Sequence, residues 1–242
     1  MIEAYKKGME ELEKGQALIA AKKFNEAEIL FPQSQWAPRS ALMSAYSYFD
    51  FGYYRESIDE VNRFLKNYPN SDRKNYAYYL KAMSYYNQIV DEKKDLGPII
   101  EAKESFQLII LQYPNSEYAM DAEFKLELIE EILAAKEMHI GRFYLKKEKW
   151  IPAINRFKIV VKNYDKTVYI EEALHRLVEI HYTIGLIDEA KKYAILLGYN
   201  YQSSQWYKNT YKVFNKSYKF EKIKKKKKED GLIKRKIKSL FE

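Results

Sequence analysis

The sequence predicts an all-α fold, a right-handed superhelical solenoid of five helix pairs. Three observations carry that reading. A helix-breaking junction recurs: Asn67-Tyr-Pro-Asn-Ser71 and Tyr113-Pro-Asn-Ser116, with weaker copies at Phe31-Pro-Gln-Ser34 and Asn163-Tyr-Asp-Lys-Thr167. A fixed pattern of small and large apolar residues precedes each break. The 242 residues hold only 8 Gly and 6 Pro, too few for a β fold with many turns, while 47% are hydrophobic, enough for a core.

The pattern can be read position by position. Small residues stand at Ala20, Ser57, Ala102, Ala153 and Ala190, spaced by 37, 45, 51 and 37. Four later come Phe24, Val61, Phe106, Phe157 and the weaker Ala194; seven later come Ala27, Phe64, Ile109, Val160 and Leu197. These share one helical face with the small residue, which lets the two helices of a pair approach closely. The break follows at Pro32, Pro69, Pro114, Asp165 and Gln202. Five before each small residue stands Gly15, Gly52, Gly97 or Gly185, suited to a left-handed helix end; Glu148 replaces it in the fourth copy, whose turn must be made without glycine. This order resembles the tetratricopeptide repeat, so the expected pairs are tetratricopeptide-like.

The elements then follow in order: helices at 2–14 and 16–30, 35–50 and 53–67, 73–90 and 98–112, 117–147 and 149–163, 168–184 and 187–198. The excess of the third copy fits the polar loop Asp91 to Gly97. At the third junction Pro114 stops one helix, and Asn115-Ser116 offers turn and N-cap chemistry for another at about Glu117. From there to Lys147 no proline intervenes. Phe124, Leu128, Ile132 and Ala135 recur at helical spacing, which predicts one helix roughly 45 Å long. It would link repeats 1–3 (residues 1–116) to repeats 4–5 (117–205) as a stiff strut, with a tail at 206–242.

Composition excludes several function classes. Cysteine is absent, so disulfides, thiolate metal sites and a cysteine nucleophile are ruled out for these residues. No apolar run approaches the roughly 20 residues that span a bilayer, and no signal peptide is visible. No phosphate loop, nucleophile elbow or zincin motif occurs. His175 and His181 are six apart, about 240° around a helix, and cannot share a metal from one face. With His139 they read as structural or surface residues. The expectation is a protein with no catalytic residues, no metal and no cofactor.

The chain carries 23 Tyr, 12 Phe and 3 Trp. The first helix of each pair lines the concave side of such a solenoid. Steps of three and four give Arg39, Leu42, Tyr46 and Phe49 in the second pair, and Tyr76, Tyr79, Met83 and Tyr86 in the third; Tyr78, Ala82 and Tyr85 face the packing side. One reading makes all these aromatics core. The other is a peptide groove, because tyrosine offers contact area and a hydroxyl at little entropy cost.

The formal charge of +8 resides in the tail. Residues 208–242 hold 14 Lys/Arg against 4 Asp/Glu, a net of +10, which leaves −2 on the first 207. Tyr211, Phe214 and Tyr218 could form one face of a sixth, capping helix. Lys224, Lys225, Lys226, Lys227 and Lys228 run without interruption, and Leu232, Ile233, Ile237, Leu240 and Phe241 then alternate with cations as a basic amphipathic segment. A solubilising tail and contact with an anionic membrane surface are the two readings; nucleic acid is the weaker third, since the body supplies no nucleic-acid fold.

Several blocks carry a closer resemblance: Asn62-Arg63-Phe64-Leu65, Asn75-Tyr-Ala-Tyr-Tyr-Leu-Lys-Ala82, Tyr113 to Ala122, Gly141-Arg-Phe-Tyr144 and Ala153-Ile-Asn-Arg156. In order and with the long fourth copy, they resemble the BamD-type (ComL-like) outer-membrane assembly lipoproteins over about residues 2–205. The resemblance implies a non-enzymatic scaffold at the periplasmic face of the outer membrane of a Gram-negative bacterium. It implies work with a BamA-type barrel insertase and delivery of unfolded β-barrel precursors. Arg156 matches the arginine that docks on a POTRA domain of the insertase. By position Arg39, Tyr46, Phe49, Tyr76, Tyr79 and Tyr86 would line a precursor groove. Family members begin with a signal peptide and a lipid-bearing cysteine, which this sequence does not show. The alternative class is a cytoplasmic tetratricopeptide-repeat adaptor.

Overall fold

The computed structural model describes residues 2–89 and 96–214. Eleven helices, and no strand, occur among them: α1 (Ile2–Glu13), α2 (Ala17–Leu30), α3 (Ala37–Asp50), α4 (Tyr54–Asn67), α5 (Lys74–Tyr86), α6 (Gly97–Gln112), α7 (Glu117–Lys146), α8 (Trp150–Asn163), α9 (Ile170–Thr183), α10 (Ile187–Asn200) and α11 (Gln205–Val213). The chain forms two compact units, Met1–Lys136 and Glu137–Glu242, and the division falls inside α7. Each is built of tetratricopeptide-like antiparallel pairs.

One turn closes four of the pairs. The carbonyl of residue i accepts from the N–H of i+5: Glu11 from Gln16 at 2.8 Å, Tyr48 from Tyr53 at 2.9 Å, Tyr144 from Lys149 at 3.0 Å and His181 from Leu186 at 2.8 Å. This closure needs a left-handed residue just before the donor. Gly15, Gly52 and Gly185 supply it at φ of 77°, 80° and 82°, and Glu148 does so at 58°. Glu148 thus makes its turn against the steric preference of a side chain. Gly97 does not play the expected part: it is the first residue of α6 rather than the end of α5. The α5 helix stops at Tyr86, short of the expected residue 90, and most of the expected loop lies outside the described residues.

The repeat positions are the core. Ala20, Ser57, Ala102, Ala153 and Ala190 are all fully buried, as are Phe24, Val61, Phe106, Phe157 and the set Ala27, Phe64, Ile109, Val160 and Leu197. Two glycines inside the first helices of their pairs complete the pattern. A Cβ at Gly8 would stand 2.8 Å from the Phe24 ring, and one at Gly141 only 2.6 Å from Phe157. In both pairs an aromatic ring stands directly against the glycine of the opposite helix.

The 30-residue α7 is continuous, as its proline-free sequence predicts. Its packed face leaves two of its large apolar residues outside. Ala119, Ala122 and Ile129 are buried, whereas Phe124 is 56% and Leu128 36% exposed. The contact with its own unit uses small residues, which allow a closer approach than Phe124 would. Ser116 does not cap α7 in the expected way, since its hydroxyl donates to the Tyr113 carbonyl at 2.8 Å. A true side-chain cap opens α11, where Ser204 Oγ accepts from Tyr207 N at 3.0 Å. The face of α11 is also corrected. Trp206, Tyr207, Thr210 and Val213 turn inward and Phe214 meets Tyr182, while Tyr211 is 72% exposed; Tyr218 lies outside the described residues.

Candidate functional site

Within the first unit a band of aromatics crosses the first helices α1, α3, α5 and α7. It begins at Tyr5 and Trp36, whose rings meet edge to face at 5.6 Å. The Arg39 guanidinium lies over both, 5.6 Å from Tyr5 and 5.1 Å from Trp36. These three, with Ile2, Lys6, Met9 and Glu10, line a cleft of about 420 Å³. Arg39 is exposed, so its charge is available at the rim of an apolar, aromatic hollow.

On α3, Tyr46 donates to Asp50 Oδ1 at 3.3 Å, and Phe49 packs at the edge of the core, 5.9 Å from the Tyr54 ring. On α5, Tyr76 meets Tyr118 of α7 at 5.7 Å. Burial raises the Tyr76 hydroxyl above the ordinary phenol range, and Tyr46, Tyr118 and Asp50 nearby raise it further. Tyr79 sits between α5 and α7. Its ring lies 5.0 Å from Tyr118 and its hydroxyl donates to Asp121 Oδ2 at 2.6 Å. Burial, then the Asp121 carboxylate, pushes its pKa up as well, so these hydroxyls stay protonated donors. Tyr86 meets Phe106 edge to face at 6.1 Å and carries the Lys125 ammonium 5.1 Å from its ring centre.

All five predicted aromatics therefore come together, each half-buried. Each packs on one side and shows the other to solvent. Tyr78 and Tyr85 are on the packing side as expected, Tyr78 against Tyr113 at 6.0 Å. The sequence reading missed Tyr5, Trp36, Tyr118, Asp50 and Asp121. Asp50 follows Tyr46 by four and was legible as a same-face partner. Asp121 is 42 residues from Tyr79 and was not.

In the second unit Arg156 projects from α8 beside the buried Phe157. Its Nη1 donates to both Glu137 oxygens, at 3.0 and 3.3 Å, and its side chain is 39% exposed. Neither Glu171 nor Glu172 of the following helix is its partner. Glu172 is held by Arg142 through two N–H donors, Nε at 2.9 Å, and by Arg176. Among the described residues Nε and Nη2 of Arg156 have no partner, so half of its fork faces outward. His175 and His181 are buried, His175 Nδ1 at 2.8 Å from Thr210 Oγ1 and His181 Nδ1 at 2.7 Å from the Leu177 carbonyl; His139 is exposed. Lys224, Lys225, Lys226, Lys227 and Lys228 lie outside the described residues.

Close-packed antiparallel pairs with fixed small and aromatic positions, and a tyrosine band across their first helices, define a tetratricopeptide-type repeat protein. The chain belongs to the family described as YfiO, outer membrane lipoprotein, whose model matches residues 1–196. It is 44% identical over 209 residues to the outer membrane protein assembly factor BamD of Rickettsia prowazekii, covering 86% of this chain and 83% of that one. It is 40% identical over 211 residues to BamD of Caulobacter vibrioides, covering 87% and 69%. BamD of Neisseria gonorrhoeae is 29% identical over 188 residues, covering 74% and 70%. Among solved structures, the TPR2AB-domain:pHSP90 complex of yeast Sti1 aligns at a TM-score of 0.45 and 14% identity, over 87% of this chain and 80% of that one.

Proposed function

We propose that this protein is a scaffold subunit of outer-membrane β-barrel assembly, which holds segments of unfolded barrel precursors on its tyrosine band. The observation that carries the reading is the band itself. Tyr46, Tyr76, Tyr79 and Tyr86 are fixed on one side by packing and by Asp50 and Asp121, so their other faces are offered already ordered. A precursor strand alternates apolar and polar residues. Ring faces suit the first and protonated hydroxyls the second, and the rigid rings lose little entropy on contact. The Arg39 cleft at one end supplies an aromatic hollow with a cation, which suits a terminal aromatic residue and its carboxylate. The relatives' role as outer membrane protein assembly factors favours this reading over a cytoplasmic adaptor.

In the same reading Arg156 meets a carboxylate on a POTRA domain of the barrel insertase, at the periplasmic face of the outer membrane. The free Nε and Nη2 edge is the part of the fork suited to a two-point contact.

The test is a calorimetric titration with a peptide from the C-terminus of an outer-membrane β-barrel protein. Tyr46→Ala should weaken binding at least tenfold while helicity is retained, since Tyr46 is half-buried at the edge of the core and its hydroxyl is held by a long hydrogen bond to Asp50. Arg39→Ala should weaken peptides with a free carboxylate more than amidated ones. Equal binding by both variants and the wild type refutes the proposal.

A further inference from the structure

The first half of α7 carries an apolar ridge with no helix of its own unit over it. Met120, Phe124 and Leu128 stand four residues apart and are 79%, 56% and 36% exposed. On an ideal helix they follow one line, about 12 Å from first to last Cα. Carboxylates edge it. Glu117, Glu123, Glu127 and Glu131 all lie within about 60° of Met120 around the helix axis. Glu123 and Glu127 are exposed and have no ion-pair partner among the described residues. The nearest lysine in the same helix, Lys125, points away and lies over the Tyr86 ring. The face is therefore apolar along its crest and anionic along its flanks. Five helical turns further on, the corresponding residue is Met138, which is fully buried. The same side of α7 is thus an interface in one half and open in the other.

We propose that this open face seats a short helix of a partner protein, apolar on one side and edged by lysine or arginine. A ridge spaced by four is the feature that fits between the side-chain rows of a second helix. An extended strand has no matching period. Three apolar side chains supply burial, and unpaired Glu123 and Glu127 supply the charge that orients a cationic partner and rejects an anionic one. The face is separate from the tyrosine band: Tyr118 and Lys125 of α7 contact α5, while Met120 and Phe124 point away from it.

The probe is a labelled 14-residue helical peptide of leucine and lysine, with leucines at i, i+3, i+4 and i+7, titrated into the full chain. A counterpart with glutamate for every lysine serves as control. The lysine peptide should bind at least tenfold more tightly than the glutamate one. Phe124→Ser alone, and Glu123→Lys with Glu127→Lys, should each weaken it at least tenfold with the melting temperature unchanged, because these side chains are exposed. Tyr46→Ala should leave it unaffected, which separates this result from the fate of the tyrosine band. Equal affinity of wild type and both variants, or preference for the glutamate peptide, overturns the proposal. So does concentration-dependent dimerisation that Phe124→Ser abolishes while peptide binding persists, since the ridge would then belong to a second copy of this chain.

Discussion

Replacing Gly141 by alanine tests whether ring-on-backbone packing sets the geometry of the second unit. A Cβ built at Gly141 stands 2.6, 2.9 and 3.0 Å from three atoms of the fully buried Phe157 ring. Carbon atoms rest at about 3.5–4.0 Å, so the ring or the helix must withdraw by about 1 Å. Overpacking of this kind costs about 1–3 kcal/mol. Against it stands a gain of about 1 kcal/mol, because alanine favours a helix interior over glycine. The expected net effect is a loss of about 0–2 kcal/mol. The assay is urea unfolding followed by circular dichroism for wild type, Gly141→Ala, Phe157→Leu and the double variant. The double variant should be more stable than the sum of the single effects, since leucine removes the ring edge that the new methyl strikes. The same displacement would move Arg156, which adjoins Phe157, away from Glu137. A Gly141→Ala protein that gains about 1 kcal/mol, the full propensity benefit, would refute the argument.

Three further outcomes are expected. Burial alone would raise the Glu172 pKa, but the hydrogen bond and charge of Arg142, with Arg176 behind it, hold it below the usual value. A carboxylate depressed in the folded state contributes stability above its unfolded pKa of about 4.3 and loses it as pH falls through the folded value. Melting temperature should therefore drop below about pH 4.5, and Glu172→Gln should flatten that part of the profile; an unchanged profile counts against the ion pair. Arg156→Glu should weaken association with isolated POTRA domains by about 2 kcal/mol or more, roughly thirtyfold, with helicity retained; undiminished binding in a pull-down removes the docking role. Deleting residues 221–242 should abolish salt-sensitive binding to anionic vesicles, at about 1 kcal/mol for each lysine near the surface, and equal binding with and without them ends the membrane reading.

What was legible in the sequence was what the repeat period controls. Ala20, Phe24 and Ala27 and their counterparts lie within two helical turns, so spacing alone places them on one face, and Glu148 could be read as a turn made without glycine because four glycines hold its position elsewhere. The face of α7 was not legible in this way. Phe124 and Leu128 outweigh Ala119 and Ala122 in hydrophobicity, yet helix approach selects the small residues, and no local period reveals which side a neighbour will take. Side-chain partners across the repeat were hidden for the same reason. Tyr79 with Asp121 is joined by the stacking of one pair on the next and Arg156 with Glu137 by the packing of α8 on α7, while the sequence offered several carboxylates for each.

The burial of α9 has a consequence for how the second unit comes apart. This helix has α8, α10 and α11 against it, and nine of its fourteen residues are buried, among them His175, Glu179 and His181. Opening any one neighbour leaves two in place, so its backbone amides reach solvent only when the unit as a whole unfolds. In a native-state hydrogen-exchange experiment the amides of Leu174, Leu177 and Val178 should therefore be the last to exchange. The nine-residue α11, which packs chiefly on α9 and less on α10, should exchange early, so that the C-terminal end of the described chain loosens long before the helix beneath it does.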